Sequence, residues 1–235
     1  MIKNLKYANI GNLSSMVYCD QSLPLNNSNL YKQPMMGPLE SSYPLDNWSY
    51  AKDAGTSYSK RYPPIGYLYF LENPRAVSLT ILDDVSYKHT SNFYMRAVLF
   101  HNNTDGKIVS CLMGRANLST VKGYVVGIQM DGSTAANNKG YIGKIALAAG
   151  FTTDLKTVNY GSKISNQQRV VLEFLYIDSL LEAYVDGQYI GSVLDRTNAD
   201  FVNGNFSYFI GSHDHNGVST TDTQVIVEDL QIIFI

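Results

Sequence analysis

The sequence predicts an all-β protein, a two-sheet antiparallel β-sandwich that carries an irregular N-terminal arm. Three observations predict it. From residue 63 onward, runs rich in Val, Ile, Tyr and Phe alternate in face at period two. Turn dipeptides that favour positive φ punctuate those runs. No stretch longer than two turns carries the 3.6-residue apolar period of a helix.

Taken in order, residues 1–62 form the arm. Asn, Ser, Pro and Tyr crowd the stretch from Leu23 to Tyr62, with prolines at 24, 34, 38 and 44. Its apolar residues follow neither period, so it is expected to be extended and irregular, ordered by lying on something else. That support is either its own domain or a neighbouring subunit. The domain proper spans 63–235. Its expected strands are 65–71, 77–82, 93–100, 107–113, 123–130, 141–148, 170–177, 181–186, 188–194, 205–211 and 224–234. Phe93, Met95, Ala97 and Leu99 share one face of their strand, as do Val170, Leu172, Phe174 and Tyr176. Asp186-Gly187 separates 181–185 from 188–193 and predicts a type I′ hairpin. Asp131-Gly132 follows another apolar strand, and Asp105-Gly106 joins 93–100 to 108–113 through a longer loop. Four of the last five residues are large and apolar, so the closing strand belongs in a sheet.

Composition removes several function classes. The chain has 235 residues, 45% apolar and 16% charged, with a formal net charge of -2. An average globular protein carries about 25% charged residues; here 18 Tyr, 18 Gly and 20 Asn take their place. No excess of Lys and Arg exists to displace phosphate counterions, so no nucleic-acid partner is expected. No apolar run is long enough for a membrane span. Cys19 and Cys111 are far apart and lack C-x-x-C spacing, which excludes a disulfide scaffold. Cys111 reads as a small core residue. The start, Met1-Ile2-Lys3-Asn4-Leu5-Lys6-Tyr7, shows no apolar segment of the secretory kind, so the expectation is synthesis in the cytoplasm without export by that route.

The stretch Val170-Val171-Leu172-Glu173-Phe174-Leu175-Tyr176-Ile177-Asp178-Ser179-Leu180-Leu181-Glu182-Ala183-Tyr184-Val185-Asp186-Gly187 resembles concanavalin A-like, laminin-G-like jelly rolls. Those domains often carry a strand, a tight turn, and a strand closing on Tyr-Val-Asp-Gly. Phe206-Ser207-Tyr208-Phe209-Ile210-Gly211-Ser212 looks like their "Ile-Gly" strand, and 225–235 like their final one. The resemblance covers about 65–235. It implies a sandwich of roughly a dozen strands that binds glycans or proteins through a concave face or a rim.

The search for chemistry starts from that resemblance. Laminarinase-type hydrolases of this fold place Glu-x-Asp-x-x-Glu on one strand, where alternate residues face one cleft. The pattern is absent: Glu173, Asp178 and Glu182, or Glu228-Asp229, have other spacings. The expectation is therefore that the chain is not an enzyme, with a carbohydrate-active enzyme of another arrangement as the alternative. Nor is there a Gly-x-Ser-x-Gly elbow, a Walker loop or a His-Glu-x-x-His helix. His213-Asp214-His215-Asn216 is the densest polar cluster. Two readings compete for it: a solvated loop that satisfies its own backbone, or a calcium site with Asp214 and Asp222 as oxygen ligands.

Sugar recognition needs aromatic rings for C–H faces, with planar polar groups beside them for hydroxyls. Tyr141, Asn137, Asn138, His213 and Asn216 are the candidate ligand-binding residues. Ordinary sheet packing is the competing reading for each tyrosine. Low charge, many Asn, Ser and Tyr, a Pro-rich arm and the absent export signal fit a bacteriophage virion protein. The leading expectation is a tail or fibre component that binds a host-surface glycan or receptor, contacts other virion subunits through its arm, and forms a homo-oligomer. A purely structural, capsid-decorating virion protein and a bacterial glycan-binding or adhesion domain are the alternatives.

Overall fold

The computed structural model describes residues 30–34, 48–54, 57–62, 66–71, 77–82, 92–102, 107–117, 122–131, 138–146, 151–159, 168–196, 207–213 and 223–235. These residues form fifteen strands and no helix. The first five are β1 (Leu30–Pro34), β2 (Trp48–Ala54), β3 (Ser57–Tyr62), β4 (Gly66–Leu71) and β5 (Val77–Leu82). Then come β6 (Phe93–Asn102), β7 (Lys107–Asn117), β8 (Lys122–Asp131), β9 (Lys139–Ala146) and β10 (Phe151–Asn159). The last are β11 (Arg169–Ile177), β12 (Leu180–Val185), β13 (Gln188–Leu194), β14 (Ser207–His213) and β15 (Thr223–Phe234).

The strands form two antiparallel sheets. The first runs β13-β12-β11-β6-β15-β4-β3, and β1 also pairs with β15. The second runs β10-β9-β8-β7-β14-β5-β2. The twelve residues of β15 are long enough to serve β4 along Thr223–Val227 and β1 along Asp229–Ile233.

The alternation seen in the sequence becomes the core. Phe93, Met95, Ala97 and Leu99 of β6, and Val170, Leu172, Phe174 and Tyr176 of β11, point inward from the first sheet. They meet Leu112, Tyr124, Val126, Ile128 and Ile142 of the second. Each such buried Val, Leu, Ile, Phe or Met contributes about 1.5–3 kcal/mol through removal from water. The rings interlock: Phe93 stands edge-on to Phe174 at 5.1 Å, and Tyr176 stacks on Tyr124 across the sheets at 5.7 Å. Inside the sandwich, Lys144 of β9 pairs with the buried Asp195 just beyond β13, and its ammonium sits 5.9 Å from the Tyr124 ring centroid. Tyr124 donates a hydrogen bond to the Asp195 carbonyl.

The turn chemistry behaves as the dipeptides require. Asp186 and Gly187 have φ of 50° and 72°, the pair of positive values that a I′ turn demands. The Asp186 carboxylate and amide also clamp the Val171 backbone, both at 2.8 Å. The tight turn between β11 and β12 is Asp178-Ser179, with φ of 47° and 76°. Asn92 holds it by exchanging hydrogen bonds with the Asp178 side chain and backbone.

Two differences from the sequence expectation have physical reasons. Strand β10 was not expected. Its register shifts between Asp154 and Lys156, so Leu155 is the extra residue of a bulge. The shift lets Leu155 and Val158, three apart, both pack on the core, and period-two reading fails across it. Within the arm, the described residues are extended strands paired to the domain's own sheets. Strand β1 joins β15, β2 joins β5, and β3 joins β4 across the expected boundary at 62/63. Polar outer strands such as β2 and β3 have little apolar alternation to betray them. No helix among the described residues is long and apolar enough to cross a membrane.

Candidate functional site

The expected ligand-binding residues fall unevenly. Asn137 and Asn216 lie outside the described residues, as do the expected calcium ligands Asp214 and Asp222. Among the described residues, no group of three or more His, Cys, Asp or Glu is arranged to hold a metal ion. Tyr141, Asn138 and His213 all belong to the second sheet or its border. Asn138 precedes β9 and is buried. Tyr141 is fully buried on the face opposite Ile142. Its ring fills the space over Gly127, directly across in β8. Cross-strand register continues this row from Gly127 to Cys111 and Gly211. His213 falls in the adjoining row, opposite Val109, which pairs with Gln129, which pairs with Lys139. Register therefore relates two of the five expected residues, Tyr141 and His213, on rows two residues apart, while Asn138 directly precedes Lys139; Tyr141 is packed rather than presented. Cys111 is buried too, and burial pushes its thiol up to about 12.

The combination of rings and planar polar groups stands on the other sheet. Strands β6, β11, β12 and β15 each turn one set of alternate residues away from the core. One cross-strand row reads Tyr189, Tyr184, Glu173, Arg96, Gln231, contributed in turn by β13, β12, β11, β6 and β15. The Tyr184 and Tyr189 rings lie 5.4 Å apart and tilted by 47°. Tyr189 is 52% exposed, whereas Tyr184 is buried. Tyr94, Leu175 and Tyr184 form an apolar cluster beneath the polar groups, with Ile177 and Ile233 packed on it.

The charges on this face sort into two kinds. Asp229 is paired with Arg96 at 3.3 Å and accepts a hydrogen bond from the Gln231 amide at 3.2 Å. Glu228 is paired with Arg169 at 2.7 Å, a contact enabled by the register shift that sets Glu228 apart between Val227 and Asp229. Glu173 and Glu182 have tyrosine partners instead. Tyr94 donates to Glu173 at 2.5 Å, and Tyr184 donates to Glu182 at 3.2 Å. No Lys or Arg among the described residues forms a salt bridge with either carboxylate. Burial first, and then the adjacent carboxylates, push both tyrosine hydroxyls well above their ordinary range. Both therefore remain donors near neutral pH.

This face offers a half-exposed ring, the buried Glu173 carboxylate, a guanidinium and an amide in one row, with the half-buried Glu182 two residues from Tyr184 on the same face, the kinds of group a sugar ring and its hydroxyls require. In the sequence, Glu173 and Glu182 stood out only for having the wrong spacing for one catalytic motif. Period-two reading sets Glu173 and Leu175 opposite the core residues of β11. Nothing in the sequence says which strands lie beside β11.

No known family model matches the chain, and no curated protein matches it either. Solved structures do share the fold. The carbohydrate-binding module CBM66 from Bacillus subtilis aligns with a TM-score of 0.55 at 13% identity, covering 80% of this chain and 95% of that one. The potassium-bound carbohydrate recognition domain of Emp46p aligns at 0.56 and 9% identity, covering 88% and 97%. A β-1,3-1,4-glucanase (lichenase) derived from a mouse hindgut metagenome aligns at 0.59 and 9% identity, covering 88% and 100%. At such identities the likeness is one of fold.

These comparisons correct the expectation that the chain is not an enzyme. Glucanases and a transglycosylase share its architecture. The missing Glu-x-Asp-x-x-Glu excludes only one way of aligning carboxylates along a single strand. Glu173 and Glu182 reach the same face from two neighbouring strands, which spacing along one strand cannot reveal.

Proposed function

We propose that this chain is a glycan-recognition domain whose binding surface is the outward face of the first sheet around Tyr189, Tyr184, Glu173 and Glu182. The row of ring, carboxylate and amide on that face, with Glu182 beside it, carries the reading. Kinship of fold with a carbohydrate-binding module and a carbohydrate recognition domain supports it. The test is a glycan-array screen of the full chain, followed by calorimetry on the hits, with each hit also assayed for cleavage. Tyr189→Ala is expected to weaken binding about tenfold, the equivalent of roughly 1.4 kcal/mol. Unchanged affinity in that variant would remove the site from this face, and a screen without hits would remove the function.

In its finer form, the glycan lies on a host cell surface and the chain is a bacteriophage tail or fibre component that contacts other virion subunits and its own copies. The low charge and the abundance of Asn and Tyr support this form. Light scattering on the full chain tests it: an oligomer is expected, and a monomer at all concentrations would count against the assembly role.

A further inference from the structure

Glu173 and Glu182 are the carboxylates of the first sheet's outward face that no basic side chain neutralises among the described residues. The face has already sorted its other charges, since Arg96 is committed to Asp229 and Arg169 to Glu228. Register brings the two together. Glu173 lies opposite Tyr184, and Glu182 sits two residues before Tyr184 on the same face of β12. They are diagonal cross-strand neighbours, within reach of one another for side chains of this length. Tyr184 experiences both negative charges, which with burial hold its proton on. Tyr189, across the register from Tyr184, adds a half-exposed ring at 5.4 Å from the Tyr184 ring.

We propose that this corner recognises a primary ammonium group, and that the glycan of the preceding section is one carrying unacetylated amino sugars. The inference rests on that glycan-recognition reading. An ammonium presents three donors on a compact cation. The half-buried Glu182 and the more deeply placed Glu173, 8% exposed, each receive one tyrosine hydroxyl, and each carboxylate retains lone pairs for further donors. The Tyr189 ring presents the negative face of its quadrupole to a cation beside it. A neutral hydroxyl uses the acceptors but neither the net charge nor the ring.

The experiment titrates the full chain with an oligomer of glucosamine, an oligomer of N-acetylglucosamine of the same length, and a neutral β-glucan, at a pH where the free amine is charged. The glucosamine oligomer is expected to bind at least about tenfold more tightly than its acetylated counterpart. Glu182→Gln, on a half-buried side chain, is expected to abolish that preference. Tyr189→Leu, at an exposed position, serves as a second variant and is expected to reduce the preference as well. Equal binding of the two oligomers overturns the ammonium assignment and leaves glycan recognition standing, as does a preference that survives both variants. A lysine oligopeptide that binds as tightly as the sugar overturns the amino-sugar assignment. Failure of all three glycans to bind overturns this inference and the glycan reading together.

Discussion

Gly127 shows what one absent side chain does. The Tyr141 ring occupies the volume that a Cβ at position 127 would need, and Tyr141 is fully buried, so its ring has nowhere to retreat. Gly127→Ala is therefore expected to cost about 1–3 kcal/mol, the usual range for overpacking a tight interior, read from the urea midpoint. A midpoint equal to that of the unmodified chain would mean that β8 and β9 separate freely there. Titration acts at the same scale. The folded state holds the protons of Cys111, Tyr94 and Tyr184 more tightly than the unfolded chain does. Raised folded values stabilise fully below the unfolded values and lose that contribution as pH climbs toward the folded ones. Stability is expected to fall as pH rises from 9.0, the ordinary thiol value, toward about 12, with the tyrosines adding to the fall above 10.0. Urea midpoints measured across that range check the sign, and Cys111→Ala should flatten the first part of the fall.

At the scale of the element, the β11–β12 hairpin turns on Asp178-Ser179 where Asp-Gly would be easier. A non-glycine residue with φ of 76° pays a steric cost between its Cβ and the backbone. Ser179→Gly removes that cost and adds some unfolded-state entropy. The net expectation is a gain of about 0.5–1 kcal/mol, or roughly 1–4 °C in thermal midpoint. An unchanged or lowered midpoint would show that the hydrogen bonds of Asn92 have already absorbed the strain. Strand β10 teaches the complementary lesson. Its bulge at Leu155 breaks the period, so no alternation rule reads Leu155 and Val158 as sharing a face. The Asp186-Gly187 turn, by contrast, was legible because its requirement for positive φ is local and two residues satisfy it.

For the whole molecule, the first 62 residues are the largest question. Removing them takes β1, β2 and β3 from β15, β5 and β4, and leaves those strands with unpaired edges. A chain starting at Pro63 is expected to melt at a lower temperature and to associate in light scattering. Identical melting and a clean monomer would mean that these pairings contribute little to stability.

The sequence by itself determined the strand class, eleven of the strand positions, the inward residues of β6 and β11, and the hairpin at Asp186-Gly187. All of these depend on neighbours within a few residues, where period and turn chemistry act. It also determined that Cys111 is buried. Only the tertiary structure decided that Tyr141 fills the space over Gly127, and that Glu173 and Glu182 converge on Tyr184 beside Tyr189. Those arrangements depend on which strands lie side by side and in what register. Register is set by long-range pairing across the sheet, and no local pattern along one strand encodes its neighbour.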